Sequence, residues 1–289
     1  GYLDQGVLKI DAPDGALDAT PLPDDAVSLN VQFADLQVRY LGELSPIRHA
    51  RGSLDLKGNA FEAKMVGGEI APPSGGIIQV TDGSFRTEDF HIRGNDAFID
   101  VKAAGSMTAI LSLIDQEPLG YISRFGLDPN EVSGTGTTRI KVTLPMRSLL
   151  LFEDVGFGAS GRATQLDMPD ISEGVTLNGG DMAFTVSNTH LRANGTMVLA
   201  GTPIALKWVE DFNAGKRPGS TFDVTGIFDD ATRTQLGVGI VRNIQGSLPV
   251  QAVLKGRGPD IATAEFEADL GPVTVVEPLI AWRKDPGIP

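Results

Sequence analysis

The segment Ile204-Ala205-Leu206-Lys207-Trp208 decides the fold of this chain. Large apolar residues occupy every second position, and the small Ala205 and the charged Lys207 lie between them. Because successive side chains of a β-strand point to opposite faces of a sheet, this period of two predicts a strand with one apolar face. The segment therefore indicates a sheet that is dry on one side and wet on the other.

The same alternation recurs along most of the chain. The apolar positions of the clearest segments are Leu29-Val31-Phe33, Leu36-Val38-Tyr40, Ile99-Val101-Ala103, Ile140-Val142-Leu144, Met182-Phe184-Val186 and Ala264-Phe266-Ala268-Leu270. Turn-forming residues separate such segments at intervals of roughly 8–12 residues, which is typical of antiparallel hairpins. The predicted turns are Gly58-Asn59, Asp82-Gly83, Gly94-Asn95, Asn178-Gly179-Gly180 and Asn194-Gly195. The sequence thus predicts a mainly β protein.

Two or three short helices are predicted as accessories to the sheet. After Ser106, a predicted N-cap, apolar residues follow the spacing of one helical stripe at Met107, Ile110, Leu111 and Ile114. Pro118 is predicted to open a second helix that carries Leu119, Ile122 and Phe125 and ends at Gly126. Asp229 or Asp230 is predicted to cap a third helix that continues to Leu236.

Composition excludes several classes of protein. The 289 residues include 24 basic and 37 acidic side chains, and the net charge of −13 gives no electrostatic drive for nucleic-acid binding. The absence of cysteine excludes disulfides, thiolate metal sites and a cysteine nucleophile, but it does not identify the compartment. No apolar run approaches the ~18 residues that a transmembrane helix needs. The first residue, Gly1, and the linker-like end Lys284-Asp285-Pro286-Gly287-Ile288-Pro289 predict a piece cut from a longer chain.

No motif in the sequence predicts catalysis. Gly156-Phe157-Gly158-Ala159-Ser160-Gly161 matches the G-x-G-x-x-G pattern of dinucleotide-binding loops, which requires a helix directly after the glycines. The next residues instead form a strand-like run that is broken at Pro169, so we interpret the motif as part of a glycine-rich strand. His49, His91 and His190 lie far apart, and none has metal-ligand spacing. We therefore predict no enzyme activity, no cofactor and no metal.

A series of short motifs resembles a known family. In chain order, they are Asp115-Gln116-Glu117-Pro118-Leu119-Gly120-Tyr121, Gly126-Leu127-Asp128-Pro129, Val132-Ser133-Gly134, Leu144-Pro145, Asp154-Val155, Gly201-Thr202-Pro203, Trp208-Val209-Glu210-Asp211-Phe212 and Trp282-Arg283-Lys284-Asp285-Pro286-Gly287. Together they resemble the AsmA-like family, and in particular its YhdP branch of large periplasmic bridge-like lipid transport proteins, which are related to TamB. Residues 1–50 match only in general texture.

The resemblance implies a fold, a function and a location. The fold would be a long, curved antiparallel sheet that forms an open hydrophobic groove, with residues 1–289 as one segment and a helical insertion at about 106–126. The function would be the transport of phospholipid acyl chains between the inner and outer membranes of a Gram-negative bacterium. The full-length protein would lie in the periplasm, anchored in the inner membrane by a part of the chain outside this segment. The resemblance supplies no catalytic residues.

Apolar positions of the alternating segments are the predicted lining of this groove. They are Val101, Ile140, Val142, Leu144, Phe184, Val186, Leu199, Leu206, Trp208, Phe222, Val224, Val250, Leu254 and Phe266. The open edges of such a segment also predict edge-to-edge pairing with another copy. The alternative is a non-catalytic structural or interaction module in which two dry faces cover each other, because alternation does not specify what covers a face.

Overall fold

The fold is described from a computed structural model. It covers residues 1–19, 21, 23, 26–40, 43–117, 119–124, 127–147, 154–172, 175–237, 243–258 and 260–288. The strands are β1 (Tyr2–Ile10), β2 (Val27–Val38), β3 (Ile47–Lys57), β4 (Ala60–Ile70), β5 (Ile78–Thr87), β6 (Asp96–Ser106), β7 (Ser133–Pro145), β8 (Gly156–Ser172), β9 (Val175–Ser187), β10 (His190–Leu199), β11 (Thr202–Asp211), β12 (Ser220–Phe228), β13 (Ile244–Gln245), β14 (Leu248–Arg257), β15 (Asp260–Ala268), β16 (Thr274–Glu277) and β17 (Trp282–Lys284).

Fourteen of these strands form one long antiparallel sheet. Its order is β1 to β12 in sequence, followed by β14 and β15. β1 and β15 are the two ends of this order, so the sheet is not closed into a barrel. A second sheet contains β13, β16 and β17. The prediction of a mainly β protein built on a long open antiparallel sheet is confirmed.

Three α-helices and two short 3-10 helices, Ala16–Asp18 and Pro278–Ile280, accompany the sheet in the described part of the chain. α1 (Met107–Ile114) begins after Ser106, whose hydroxyl accepts a hydrogen bond from the Ala109 amide at 3.2 Å. α3 (Asp230–Gln235) begins after Asp229, whose carboxylate accepts from the Thr232 amide at 2.8 Å. The predicted caps of both helices are therefore confirmed.

The second predicted helix differs in extent. α2 comprises Tyr121–Arg124, so it begins after the predicted first residue, Pro118. Pro118, Phe125 and Gly126 lie outside the described residues. In the part that is described, helices replace strands at 107–114 and 121–124, within the predicted insertion at about 106–126.

Three of the predicted turns are wrong. Gly58-Asn59 and Gly94-Asn95 do lie at turns between strands. In contrast, Asp82-Gly83 lies inside β5, Asn178-Gly179-Gly180 inside β9 and Asn194-Gly195 inside β10. The glycine-rich stretch 156–161 also lies inside a strand, β8, as predicted. Glycine in this sheet therefore occurs in strand interiors as well as in turns.

Residues with left-handed backbone conformation shift the phase of the alternation. Asp35 in β2 and His49 in β3 have φ values of 55° and 52°, and the β2–β3 register shifts beside both. His49 Nδ1 and Asp35 Oδ1 lie 2.6 Å apart. Because a strand gains one residue at such a bulge, the apolar positions move from Val31 and Phe33 to Leu36 and Val38 without leaving their face.

The chain contains two compact units, which are described separately below. Unit 1 comprises residues 1–121, 136–161 and 186–188. Unit 2 comprises residues 122–135, 162–185 and 189–289. The prediction of a single segment over 1–289 stays a prediction.

The buried Arg233 side chain connects α3 to the small sheet within unit 2. The Arg233 guanidinium in α3 donates to the carbonyl oxygens of Gly246 at 2.7 Å and Ile244 at 2.9 Å, and it also pairs with Asp230. β13 then pairs with β16, and β16 pairs with β17. The charge of Arg233 is therefore satisfied where it is buried, and α3 is joined to the small sheet.

Candidate functional site

One face of the sheet in unit 1 is apolar from strand to strand. Directly opposite residues on neighbouring strands form a row that consists of Val31, Leu54, Ala63, Phe85 and Ile99. The next row contains Leu29, Leu56 and Phe61, and the row on the other side contains Phe33, Met65 and Val101. We call this surface the apolar face of unit 1. It extends over β2 to β6 with no charged side chain in these rows.

The opposite face of unit 1 is charged. Glu62 lies between Asp55 and Arg86 in one row, and Lys64 lies beside Ser84 in the next. Arg139 Nε and Nη2 donate to the two carboxylate oxygens of Asp100 at 2.7 and 2.6 Å, and this fork lowers the pKa of Asp100 below its ordinary value. The sheet of unit 1 is therefore amphipathic across its thickness.

Unit 2 repeats this arrangement. One row consists of Ala193, Trp208, Phe222, Leu254 and Ala264, and the next of Gly195, Leu206, Val224, Ala252 and Phe266. We call this surface the apolar face of unit 2. Trp208 and Phe222 stack with their ring centroids 5.7 Å apart. This face extends across β10, β11, β12, β14 and β15.

The other face of unit 2 again carries the charges. Lys207, Asp223 and Glu265 lie in a single row of β11, β12 and β15. Arg162 Nε and Nη2 donate to the carboxylate oxygens of Asp181 at 2.6 and 2.8 Å, and this fork lowers the pKa of Asp181. The sheets of the two units are thus built alike: one face is apolar and the opposite face carries the charged side chains.

The predicted lining residues all occupy the apolar positions of their strands. The cross-strand rows contain Val101, Leu206, Trp208, Phe222, Val224, Val250, Leu254 and Phe266. Leu199 lies opposite Thr202 at the end of its strand. Ile140, Val142 and Leu144 alternate with Arg139, which points to the charged face, and Phe184 and Val186 follow the phase of Met182. These residues therefore lie on the apolar side of their strands, and their role as the lining of a lipid groove stays a prediction.

Burial on these faces is incomplete. Leu54, Phe61, Phe85, Val142, Phe184, Phe222, Val224 and Leu254 are half-buried. On the terminal strand β15, Phe266 is 67% exposed. Side chains in a doubly covered core are close-packed and almost fully buried. These positions are shielded by their neighbours within the face, and a part of their apolar surface remains accessible.

Glycines inside the strands accommodate large side chains from neighbouring strands. A Cβ atom at Gly83 would lie 2.9 Å from Met65 Cε, one at Gly180 2.7 Å from Met197 Cε, and one at Gly195 2.8 Å from Met182 Sδ. These glycines belong to the three segments wrongly predicted as turns. A side chain at Gly83 or Gly180 would have to displace the methionine beside it, and one at Gly195 would also overlap the Asp181 carbonyl oxygen, which lies 2.0 Å away. Sequence reasoning missed this packing, although a Gly in an otherwise alternating segment is a signal for it.

Helix α1 covers one border of the apolar face of unit 1. Its Ala109, Ile110 and Leu113 pack against a cluster that consists of Phe33, Ile47, Ala50, Ile70, Ile78, Val80 and Ala103. Polar contacts hold the helix in place, since Gln116 Oε1 accepts from the Ser45 amide at 2.8 Å and Ser112 Oγ accepts from the Ser74 amide at 3.4 Å. One border is therefore closed by the protein itself.

A polar group ends the apolar face of unit 2. Glu210 and Ser220 lie opposite each other and are both buried, and the Ser220 hydroxyl donates to Glu210 Oε2 at 2.5 Å. Ser220 Oγ in turn accepts from the Gly258 amide at 2.7 Å. This hydrogen-bonded pair lies in the next row after the stacked Trp208 and Phe222. The apolar surface therefore ends at a pair of buried polar groups that satisfy each other's hydrogen bonds.

The described residues show no constellation suited to metal binding. In the described ranges, no group of three or more His, Asp or Glu side chains comes together as a metal site. His49 contacts Asp35, and His190 contacts Thr189. No helix in the described part of the chain is long and apolar enough to cross a membrane. The prediction that this chain is not an enzyme stays a prediction.

Comparison of the chain with family models, curated proteins and solved structures found no match. The site is therefore interpreted from its own geometry.

Proposed function

We propose that this chain is a segment of a bridge-like lipid transporter of the AsmA-like type, which carries phospholipid acyl chains along the apolar faces of its sheet. The observation that carries the proposal is the half-buried apolar surface that crosses strand after strand in each unit, with the charges on the other side. In this proposal the protein acts in the periplasm, and other parts of the chain contact the inner and outer membranes.

The physical requirement for such transport is a dry surface. Each methylene of an acyl chain costs about 0.8 kcal/mol to expose to water, so a lipid with tens of methylenes does not cross an aqueous gap at a useful rate. An apolar surface removes most of that cost along its length. The rows of unit 1 and of unit 2 offer aliphatic and aromatic groups for this contact.

Movement also requires that no position holds the lipid too tightly. A conduit works when binding is favourable enough to enter and weak enough to leave. The cross-strand rows that we describe carry apolar groups, and the paired charges of Asp100 with Arg139 and of Asp181 with Arg162 lie on the opposite face. Such a surface favours sliding over specific capture.

The proposal is tested by site-specific photo-crosslinking in cells. A photoreactive residue replaces one of four half-buried or exposed apolar positions, Val142, Phe184, Phe222 or Phe266. Matched controls on the same strands or their charged faces replace Lys141, Asp223 or Glu267. We expect phospholipid adducts at the first set and background labelling at the second. Equal labelling of the two sets would exclude the proposal.

One observation favours the alternative of a structural module. Met197 and Ile204, which lie opposite each other on the apolar face of unit 2, are almost completely buried by other residues of this chain. If burial of this kind extended over the whole face in the native assembly, the face would be a core and no lipid would reach it. Native mass spectrometry of the purified protein distinguishes the two, because the module predicts no bound phospholipid.

A further inference from the structure

Exposed apolar side chains concentrate at the hairpin that joins β16 to β17 in unit 2. Leu279 is 94% exposed, Ile280 is 72% exposed and Trp282 is 49% exposed. Single exposed apolar residues are common on protein surfaces, and here three large ones lie within four positions of one turn. We call residues 279–282 the hairpin tip.

The backbone of the hairpin presents these side chains in a defined way. Glu277 pairs with Trp282 across the two strands, and Glu277 Oε1 accepts a hydrogen bond from the Leu279 amide at 3.1 Å. Ala281 completes the turn in a left-handed conformation with φ of 50°. The turn is therefore fixed by its own hydrogen bonds, and the two aliphatic residues lie at its end.

The charged groups at the base of the hairpin are hydrogen-bonded. Arg283 Nε donates to Asp285 Oδ1 at 2.7 Å. The buried ammonium group of Lys284 donates to the Leu270 carbonyl at 2.8 Å. From the end of the turn toward the base of the hairpin, the order is therefore aliphatic side chains, then the indole, then the hydrogen-bonded charged groups.

This order of polarity fits the interface of a lipid bilayer. Aliphatic side chains enter the acyl region, an indole with its single N–H prefers the headgroup level, and charged groups remain in water. The two basic residues next to the tip, Arg283 and Lys284, are engaged by Asp285 and by backbone carbonyls, and the net charge of the chain is −13. Attraction to anionic lipid is therefore not the driving force, and burial of apolar surface is.

We propose that the hairpin tip inserts into the interfacial layer of a phospholipid membrane. The proposal goes beyond transport along the sheet, because it assigns a membrane contact to residues of this chain itself. It predicts that the chain binds vesicles of zwitterionic phosphatidylcholine, that added phosphatidylglycerol weakens binding through repulsion, and that raised salt does not abolish it on phosphatidylcholine.

The experiment uses the full chain with phosphatidylcholine vesicles. The protein has two tryptophans, so the Trp208→Phe variant leaves Trp282 as its only indole. We expect a blue shift of Trp282 emission on addition of vesicles and quenching by brominated lipid. The double variant Leu279→Asp with Ile280→Asp should sediment with vesicles at least about tenfold more weakly, because charges replace the inserting groups.

A matched control and the reciprocal variant complete the test. Ile227, which is 62% exposed on the charged face of β12, is replaced in Ile227→Asp, and vesicle binding should be retained. The Trp282→Phe variant leaves Trp208 to report on lipid at the sheet, so failure of the tip and failure of sheet transport are distinguished. The proposal is overturned if the double variant binds like the wild type, if Trp282 emission does not change, or if the tip captures a protein while vesicles remain unbound.

Discussion

The border of unit 1 beneath α1 and β15 of unit 2, which ends the long sheet, have the same sequence pattern but opposite environments. Ile78 lies under the helix and is 2% exposed, whereas Phe266 in β15 is 67% exposed. Both residues belong to apolar rows whose charged counterparts lie on the other face. In the first region a helix of the same chain supplies the cover, and in the second the structure describes none.

The difference shows that alternation and coverage are separate properties of a sheet. Alternation places Ile78 and Phe266 on the apolar face, because side chains of a strand point to opposite sides in turn. Coverage depends on what packs over that face, here Ala109, Ile110 and Leu113 of α1. At the border of unit 1, the apolar surface of Ile78 is already removed from water by α1. At β15, most of the apolar surface of Phe266 is still exposed, and its burial would stabilise a contact with another apolar group.

The largest expected effect is the contrast between these two residues on truncation. Ile78→Ala should lower the free energy of unfolding by about 2–5 kcal/mol, because it leaves a cavity in a packed cluster. Phe266→Ala should cost less than about 1 kcal/mol in the purified protein, because most of its side chain is already in water. Urea unfolding of both variants measures the contrast. Equal losses would mean that both regions are covered alike.

Glycine replacement tests a feature that the two units share. A Cβ at Gly52 would lie 1.9 Å from the Lys64 carbonyl oxygen, and one at Gly195 would lie 2.0 Å from the Asp181 carbonyl oxygen. Gly52→Ala and Gly195→Ala should each destabilise by about 1–3 kcal/mol, since backbone must move. Gly158, whose nearest such neighbour is 4.0 Å away, is the control. A Gly158→Ala variant as unstable as the others would show that backbone entropy, and not close approach, decides.

The cap of α1 tests how firmly the helix covers its border. Ser106→Ala removes the acceptor for the Ala109 amide and should cost about 1 kcal/mol. We expect a local effect, seen as faster amide hydrogen exchange in α1 and greater binding of an apolar dye to unit 1. Ser133→Ala, at an exposed hydroxyl of β7, is the control. Unchanged exchange in α1 would show that the contacts of Gln116 and Ser112 hold the helix without its cap.

The smallest effects concern the charged faces, where the two units carry equivalent forks. Arg139→Gln and Arg162→Gln should raise the pKa of Asp100 and Asp181 toward the ordinary value, since each carboxylate loses its guanidinium partner. A depressed pKa stabilises the fold above the unfolded value of about 3.9, and that contribution is lost as pH falls through the folded value. The stability difference between wild type and variant should thus vanish in acid. Carboxyl titration by NMR measures both shifts, and unchanged pKa values would contradict the role of the forks.

Much of the fold follows from the sequence, because the period of two is a local property. The segments around Val31, Val142 and Leu206 all form strands with the predicted faces, and Ser106 and Asp229 cap helices as predicted. Every predicted lining residue occupies an apolar position of its strand. Local spacing was sufficient for these results.

The remaining features depend on neighbours that are distant in sequence. Gly83, Gly180 and Gly195 are typical turn residues, and their place inside strands follows from neighbours that come close across the sheet. These are Met65 at Gly83, Met197 at Gly180, and the Asp181 carbonyl with Met182 at Gly195. The bulges at Asp35 and His49 involve residue types that adopt the left-handed conformation more often than most, but the sequence contains many Asp residues, so the pattern alone does not locate the bulges. The apolar stripe of α1 predicts that one side of the helix is buried. It does not predict that this side packs against the cluster that contains Ile78.

The packing of methionine against glycine has a consequence for the response of this protein to oxidation. Met65, Met182 and Met197 fill the depressions above glycines with unbranched thioether chains, which change conformation at low cost. Met182 and Met197 are 5% and 2% exposed, so their side chains fill the packed layer beneath the surface and are not part of the surface itself. Oxidation of these sulfurs to sulfoxides would place polar groups in that packed layer and weaken it.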